Sequence, residues 1–258
     1  VKYCVGCKLE KTESELVEGR CPLHPNQDLD LIAEENYFFR FSKYQKPLLA
    51  LYAAYPDFVI PASRLNEVRE FVKRGLVDFS ISRLASKQPG GISVPDDPAQ
   101  TIYVWFDALV NYISAIGWPN DQNKFNQWWP VIQFAGKDNL RQQAAMWPAM
   151  LMSVGLPPPR QVVIHGFIMN AGQKMSKSLG NVIDPFTLVE EYGADAVRYY
   201  LLRYIQPFAD SDFTVEKFRE CYNAHLANGL GNLVSRVLTL SRTTLDIKRV
   251  VLKSSKDY

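Results

Sequence analysis

The segment Ala171-Gly172-Gln173-Lys174-Met175-Ser176-Lys177-Ser178-Leu179-Gly180-Asn181 sets two lysines and two serines between a pair of glycines. Gly172 and Gly180 let the backbone bend sharply at both ends. Lysine is a compact charge on a long stem, able to follow a phosphate as it moves. Serine hydroxyls and exposed backbone N–H groups add hydrogen-bond donors. In chemical terms this is a polyphosphate-gripping loop. It is not a Walker A loop, because the pattern Gly-x4-Gly-Lys-Ser/Thr is absent. By composition alone it is also an ordinary solvated lysine–serine turn.

Working outward, residues 161–169 read as one buried strand that leads into the loop, with His165 and Gly166 near its end. Gly166 suits close approach of a flat ring. After the loop, Asp184-Pro185 is an N-cap followed by proline at the first helical position. That helix stops near Gly193, and a second runs over 194–202. From about Thr214 a long helix carries Phe218, Tyr222, Leu226, Leu230, Leu233 and Val237 on one apolar stripe. Asn232 and Arg236 are four residues apart and share a face of it.

Upstream, residues 131–154 read as a strand, a Gly136-Lys137-Asp138 turn and a helix that Asp138 is placed to cap. Residues 101–106 read as a strand and 107–116 as a helix, with Asp107 as its N-cap. That puts Trp105 at a strand end and Tyr112 two helical turns on. Ends of parallel strands are where an open α/β sheet places its ligand crevice; core packing is the other reading of this aromatic pair.

The N-terminal stretch carries Cys4-Val5-Gly6-Cys7 and Cys21-Pro22-Leu23-His24. Two such turns can converge on one tetrahedral Zn2+; the alternative is reduced thiols with an unrelated histidine. No acid or open coordination position is evident beside them, so the metal would be a structural staple. Residues 34–41 have the aromatic density of a buried strand, and helices follow over 42–55 and from 63 or 66 to 74. Leu65, Val68, Phe71 and Val72 would line the apolar face of the second. Residues 78–83 alternate as a short strand, and 90–98 form a Gly/Pro-rich boundary.

Hydrophobic residues make up 47% of the 258-residue chain and charged ones 22%, which implies a packed core. A net charge of +2 is too small to argue for nucleic acid, so any such partner must come from motifs. No apolar run approaches the ~20 residues of a membrane span, and the first residues carry no signal-peptide pattern. The four cysteines do not form a disulfide framework, and Cys221 reads as a small buried hydrophobe in a reducing, cytoplasmic compartment.

Lys174-Met175-Ser176-Lys177-Ser178, followed by Leu179-Gly180-Asn181-Val182-Ile183-Asp184-Pro185, resembles the signature loop of class I aminoacyl-tRNA synthetases, and most of all that of the methionyl-tRNA synthetase family. Val104-Trp105-Phe106-Asp107-Ala108-Leu109 with Tyr112, Glu35-Asn36-Tyr37-Phe38-Phe39-Arg40, and Gly231-Asn232-Leu233-Val234-Ser235-Arg236 resemble the same family. The resemblance implies an α/β fold: the second half of a Rossmann-type catalytic domain with a zinc-knuckle insertion, then the start of an all-α anticodon-binding bundle. It divides the chain into 1–92 (insertion), 93–169 (catalytic half), 170–213 (loop and stem-contact helices) and 214–258 (bundle).

The implied reaction is ATP-dependent formation of methionyl-adenylate, then transfer to tRNA(Met), with Mg2+ accompanying ATP and Zn2+ structural. Lys174 and Lys177 would neutralise charge on the pyrophosphate, and Ser176, His165 and Gly166 would line the ATP site. Trp105 and Tyr112 would wall the methionine pocket, with Asp138 positioning the substrate. Five residues on, where the family usually has histidine, this chain has Gln143, which hydrogen-bonds but cannot carry a proton. Many family knuckles use four cysteines; here His24 takes the fourth place. Asn232 and Arg236 match residues that contact anticodon bases, and no membrane partner is implied. A His-Ile-Gly-His-type signature is missing, since the only histidines are His24, His165 and His225. The expectation is therefore a partial enzyme, inactive in isolation. The rival readings are a non-catalytic zinc-containing tRNA-binding module and a synthetase for leucine, isoleucine or valine; the short insertion argues against the latter.

Overall fold

In a computed structural model, residues 2–7, 9–11, 16–31, 35–86, 90–176 and 180–244 are described, so Lys177 lies outside the described residues. The chain divides into two compact units, Val1–Ile164 and His165–Tyr258. The boundary expected near residue 92 falls inside the first.

The first unit opens with a small antiparallel sheet in the order β2-β1-β3, from β1 (Lys2–Cys4), β2 (Leu9–Lys11) and β3 (Asp30–Leu31). The aromatic run that follows gives only a two-residue strand, β4 (Phe38–Phe39), before a short 3-10 turn over Phe41–Tyr44. Its side chains favour a cluster over a longer ladder. The Phe39 ring lies 5.3–6.5 Å from those of Phe41, Tyr44, Phe79 and Phe106.

Helices α1 (Gln45–Ala54) and α2 (Ala62–Lys73) flank β5 (Val59–Ile60), as the sequence pattern requires. Leu65, Val68 and Val72 of α2 join Leu48, Leu51 and Tyr52 of α1 in one buried core. The short strand expected over 78–83 is split. β6 (Phe79–Ser80) pairs with β4, and β7 (Ser82–Leu84) joins β8 (Ser93–Val94) and β9 (Asp97–Ile102) in an antiparallel sheet ordered β7-β9-β8.

The chain leaves β9 earlier than the sequence suggests. The Tyr103 N–H donates to the Ile81 carbonyl (2.8 Å), while the Tyr103 carbonyl already accepts from Phe106 and Asp107 N–H (2.9 and 3.1 Å). Helix α3 (Val104–Ser114) therefore begins at Val104 with Tyr103 as its N-cap. Asp107 is not the cap; it sits in the first turn, where a carboxylate suits the helix dipole. Trp105 belongs to that turn, not to the end of a parallel strand.

After α4 (Gln122–Trp128) comes β10 (Ile132–Gly136), then a 3-10 turn over Lys137–Asn139. Gly136 holds the cap position and Asp138 lies inside the turn. The helix continues through a wide π turn, Gln142–Met146, into α5 (Trp147–Ser153). Strand β11 (Gln161–His165) lies between β10 and β5, and its pairing with β5 is parallel, Val162 opposite Val59.

The strand expected over 161–169 is thus two strands in two sheets. In the second unit, β12 (Ile168–Asn170) is flanked by β13 (Gln173–Lys174) and, after helices α6 (Pro185–Tyr192) and α7 (Ala194–Tyr204), by β14 (Ser211–Asp212). Asp184 caps α6, its carboxylate accepting from Phe186 N–H at 2.9 Å, with Pro185 at the first helical position as read. Thr214 caps α8 (Val215–Cys221), which runs through a π segment, Tyr222–Gly231, into α9 (Asn232–Thr244). Phe218 is buried with Leu188, Val197, Tyr200 and Phe213, and Tyr222, Leu226 and Cys221 pack on that core. Leu230, Leu233 and Val237, expected on the same stripe, are exposed. Every described residue from Ala227 to Leu240 is exposed, so no described part of the chain covers this stretch on any face, and one long helix cannot bury its own stripe. Among the described residues no helix is long and apolar enough to cross a membrane.

One bond carries the irregular helix of the first unit. Pro148 has no N–H to offer the Ala144 carbonyl four residues before it. The Tyr52 hydroxyl donates to that carbonyl instead, at 2.6 Å, and burial pushes the phenol pKa well above its usual range. Tyr52→Phe should leave the buried carbonyl unpaired and destabilise the protein by ~1–3 kcal/mol, read as a lower urea midpoint at unchanged slope. An unshifted midpoint would mean that another group satisfies Ala144.

Candidate functional site

The lysine–serine segment begins as a tight hairpin. Met169 faces Lys174 and Asn170 faces Gln173, and the two turn residues Ala171 and Gly172 have φ of +50° and +76°. Positive φ at both positions is the requirement of a type I′ turn, which matches the twist of the flanking strands. Gly172 N–H donates to Asp212 Oδ1 at 2.8 Å, and this bond, followed by Lys217, holds the Asp212 carboxyl below its usual range. Lys174 is exposed, its ammonium 4.1 Å from the centre of the Phe167 ring. Ser176 N–H donates to Asn181 Oδ1 at 2.8 Å.

His165, read as a strand residue, is exposed, and its Nδ1 lies 2.8 Å from the Gly166 carbonyl oxygen. A carbonyl only accepts, so Nδ1 is the donor in this bond. Gly166 is needed by the chain itself: a Cβ there would lie 2.2 Å from the Ala209 backbone. Sequence reasoning had no sign of that distant neighbour.

In the first unit the structure brings Tyr112 and Gln143 together, with Gln143 Nε2 donating to the Tyr112 hydroxyl at 2.9 Å. Trp105 sits two turns before Tyr112 on α3, half-buried. Asp138 is exposed in the turn that precedes the π segment. Trp147 was not singled out from the sequence, yet it is 1% exposed and its ring lies 6.2 Å from that of Tyr112. Its only sequence sign is its position four residues after Gln143. Gln143 Oε1, Gln142 Oε1 and Trp147 Nε1 are buried with no hydrogen-bond partner among the described residues. These polar atoms lie beside the aromatic packing of Tyr112, Trp129 and Trp147.

Cys4, Cys7, Cys21 and His24 converge, all their donor atoms lying within 4.8 Å of one another. Cys7 Sγ is 3.4 Å from Cys21 Sγ and 3.2 Å from His24 Nδ1, and Cys4 Sγ is 3.7 Å from the same nitrogen. A tetrahedral ion with ~2.3 Å sulfur bonds needs ligand separations of about 3.5–3.8 Å. The four residues therefore fit one metal ion. Gly6 has no room for a side chain, since a Cβ would lie 2.4 Å from His24 Cδ2. Burial, with the hydrogen bond to Cys21, pushes the Cys7 thiol up to about 12. Cys21 moves the other way, to about 6: burial opposes its ionisation, but hydrogen bonds from His24 and Cys7 outweigh it. The Cys21 thiol is thereby nearer than that of Cys7 to the thiolate form that a metal binds.

Asn232 and Arg236 are both exposed on α9. Asn232 Nδ2 donates to the Asn228 carbonyl at 2.7 Å, and Arg236 lines a shallow groove with Ser235, Thr239 and Leu240.

Residues 2–238 match the family model described as tRNA synthetases class I (M). A methionine–tRNA ligase of Thermosynechococcus vestitus is 53% identical over 93% of this chain and 46% of its own. A chloroplastic/mitochondrial methionine–tRNA ligase of Arabidopsis thaliana is 49% identical over 96% of this chain and 41% of its own. Among solved structures, Mycobacterium tuberculosis methionyl-tRNA synthetase bound by methionyl-adenylate matches with a TM-score of 0.85 at 39% identity, over 98% of this chain and 51% of that one. The chain spans about half the length of the curated relatives it matches.

The thiol cluster makes its own prediction. Cobalt titration should give one equivalent with thiolate-to-metal charge-transfer absorption. His24→Ala should weaken binding by at least the ~10–100-fold that even a supporting partner is worth. Gly6→Ala should do the same by displacing the ring, with all four donors present. Unchanged cobalt spectra in both variants would refute a shared site.

Proposed function

We propose that this chain, which belongs to the class I tRNA synthetases of the methionyl type, carries part of the machinery that activates methionine with ATP and transfers it to tRNA(Met). The observation that carries the reading is the match over 98% of the chain to a synthetase bound by methionyl-adenylate.

In the first step a methionine carboxylate oxygen attacks the α-phosphorus of ATP. The bond from that phosphorus to the oxygen bridging it to the β-phosphorus breaks, and pyrophosphate leaves with the electron pair. In the second, a hydroxyl of the tRNA 3′-terminal ribose attacks the acyl carbon, and AMP departs. Neither step requires a protein nucleophile; positioning and charge stabilisation suffice. Lys174 and Lys177 neutralise charge on the departing pyrophosphate, Ser176 adds a donor, and His165 and Gly166 lie on the adenosine side. Mg2+ would accompany the ATP phosphates.

Trp105 and Tyr112 face the methionine side chain, whose thioether packs well on aromatic rings. Asp138 pairs with the substrate ammonium. Gln143, fixed to the Tyr112 hydroxyl, holds that ring in place and offers no titrating imidazole. Cys4, Cys7, Cys21 and His24 hold a structural Zn2+ that staples a knuckle with little core of its own. Three sulfurs and one nitrogen suit that ion. Asn232 and Arg236 offer amide and guanidinium edges to unstacked anticodon bases. The reading places the chain in cytoplasmic translation.

The test is methionine-dependent ATP–pyrophosphate exchange by the whole product of the gene. Lys174→Ala should lower kcat by ~10²–10³ with little change in the KM for methionine. Trp105→Ala should instead lower kcat/KM for methionine by ~10–100-fold. No exchange, with tRNA binding intact, would favour the non-catalytic zinc-containing tRNA-binding module.

A further inference from the structure

The hairpin that presents Lys174 is short. Its return strand ends at Lys174, so the Lys174 carbonyl and the Ser176 N–H lie beyond the ladder. Both are satisfied by one side chain. Asn181 Nδ2 donates to the Lys174 carbonyl at 3.2 Å, and Asn181 Oδ1 accepts from Ser176 N–H at 2.8 Å. A carboxamide carries the same donor and acceptor as a peptide group, so Asn181 acts as a one-residue neighbouring strand. Asn181 is itself held: its carbonyl accepts from Asn170 Nδ2 at 2.9 Å. Asn170 ends β12, opposite Gln173. The strand that leads in and the segment that leads out are thus tied through two asparagines, with Lys174 and Ser176 between them.

We infer that Asn181 is a positioning residue for the phosphate-binding backbone: it fixes Lys174 and Ser176 through paired hydrogen bonds to their main chain and touches no substrate. This rests on the reading of Lys174 as the pyrophosphate-neutralising lysine. Because the bonds go to backbone, no substitution at Lys174 or Ser176 reports on them. The chemistry at stake is the charge that develops on the leaving group, so the effect belongs to the rate of activation and not to amino-acid binding. Asp212, which accepts from Gly172 N–H, anchors the other end of the hairpin but does not reach Lys174 or Ser176 by any bond described.

The test uses the whole gene product with Asn181→Ala and, as a second variant that leaves the Asn181 amide in place, Asn170→Ala. Two readouts are taken: hydrogen exchange at the Ser176 amide, and methionine-dependent pyrophosphate exchange beside transfer to tRNA from preformed methionyl-adenylate. Asn181→Ala should abolish protection at Ser176 and lower kcat for activation by about tenfold or more, the loss expected for two hydrogen bonds. The KM for methionine and the transfer rate should stay within about twofold of the parent. Asn170→Ala should shift both affected readouts in the same direction by less. Full activation in Asn181→Ala, or equal losses in activation, methionine KM and transfer, would overturn the inference. A parent protein with no methionine-dependent exchange would instead fail the functional reading. Ser176 protection would still report whether the Asn181 tie exists.

Discussion

The Tyr52 hydroxyl lies 2.6 Å from the Ala144 carbonyl oxygen, inside a core of aliphatic and aromatic side chains. It answers a need that Pro148 creates, because a proline nitrogen cannot close the helical bond. With that carbonyl satisfied, the helix can run on through a wide turn that carries Gln142 and Gln143 inward. Gln143 then reaches the Tyr112 hydroxyl on α3. Side chains also pair main-chain groups nearer the surface, where strands and helices begin or end. Ser82 Oγ accepts from Tyr37 N–H, Asp78 from Ser42 N–H, Asp212 from Gly172 N–H, and the Asn181 amide serves both Lys174 and Ser176. Gln143, Lys174 and Ser176 sit at or beside such interruptions, whereas Trp105, Tyr112, Asn232 and Arg236 lie on regular helices.

Local signals in the sequence carried well into the structure. Gly172 and Gly180 were read as bends, and both adopt left-handed φ. Asp184 with Pro185, and the apolar face of α2, needed no distant information. The rest depends on distant neighbours. Asp107 has the chemistry of a cap, but the start of α3 is set by a bond from Tyr103 to Ile81, the residue between β6 and β7, which sequence spacing does not connect to it. For Gly166, read as suiting close approach of a flat ring, the structure adds a requirement the sequence could not show: a Cβ there would lie 2.2 Å from the Ala209 backbone. The stripe after Phe218 is buried only at its start; beyond Leu226 nothing described packs on the helix, as expected of one helix that cannot bury its own stripe. Asn181 looked like a flank to the lysines; its role appears only when the hairpin brings its amide against them.

The two units supply different chemistry. The first offers an aromatic wall with a few buried polar groups and a thiol cluster sized for one metal ion. The second offers a cationic hairpin whose backbone is held by amides and a carboxylate, so a flexible lysine stem starts from a fixed point. Gln143 matters to the first. A histidine there would bring a titrating group beside Tyr112; glutamine keeps the hydrogen bond and removes the charge.

Under the proposed function, Trp105 and Tyr112 of α3 are what select methionine. The most direct measurement is a panel of amino acids in pyrophosphate exchange with the whole gene product, compared by kcat/KM. Methionine should lead isoleucine, leucine and valine by at least the ~10–200-fold that a shaped apolar pocket can give. Equal or better exchange with isoleucine would contradict it.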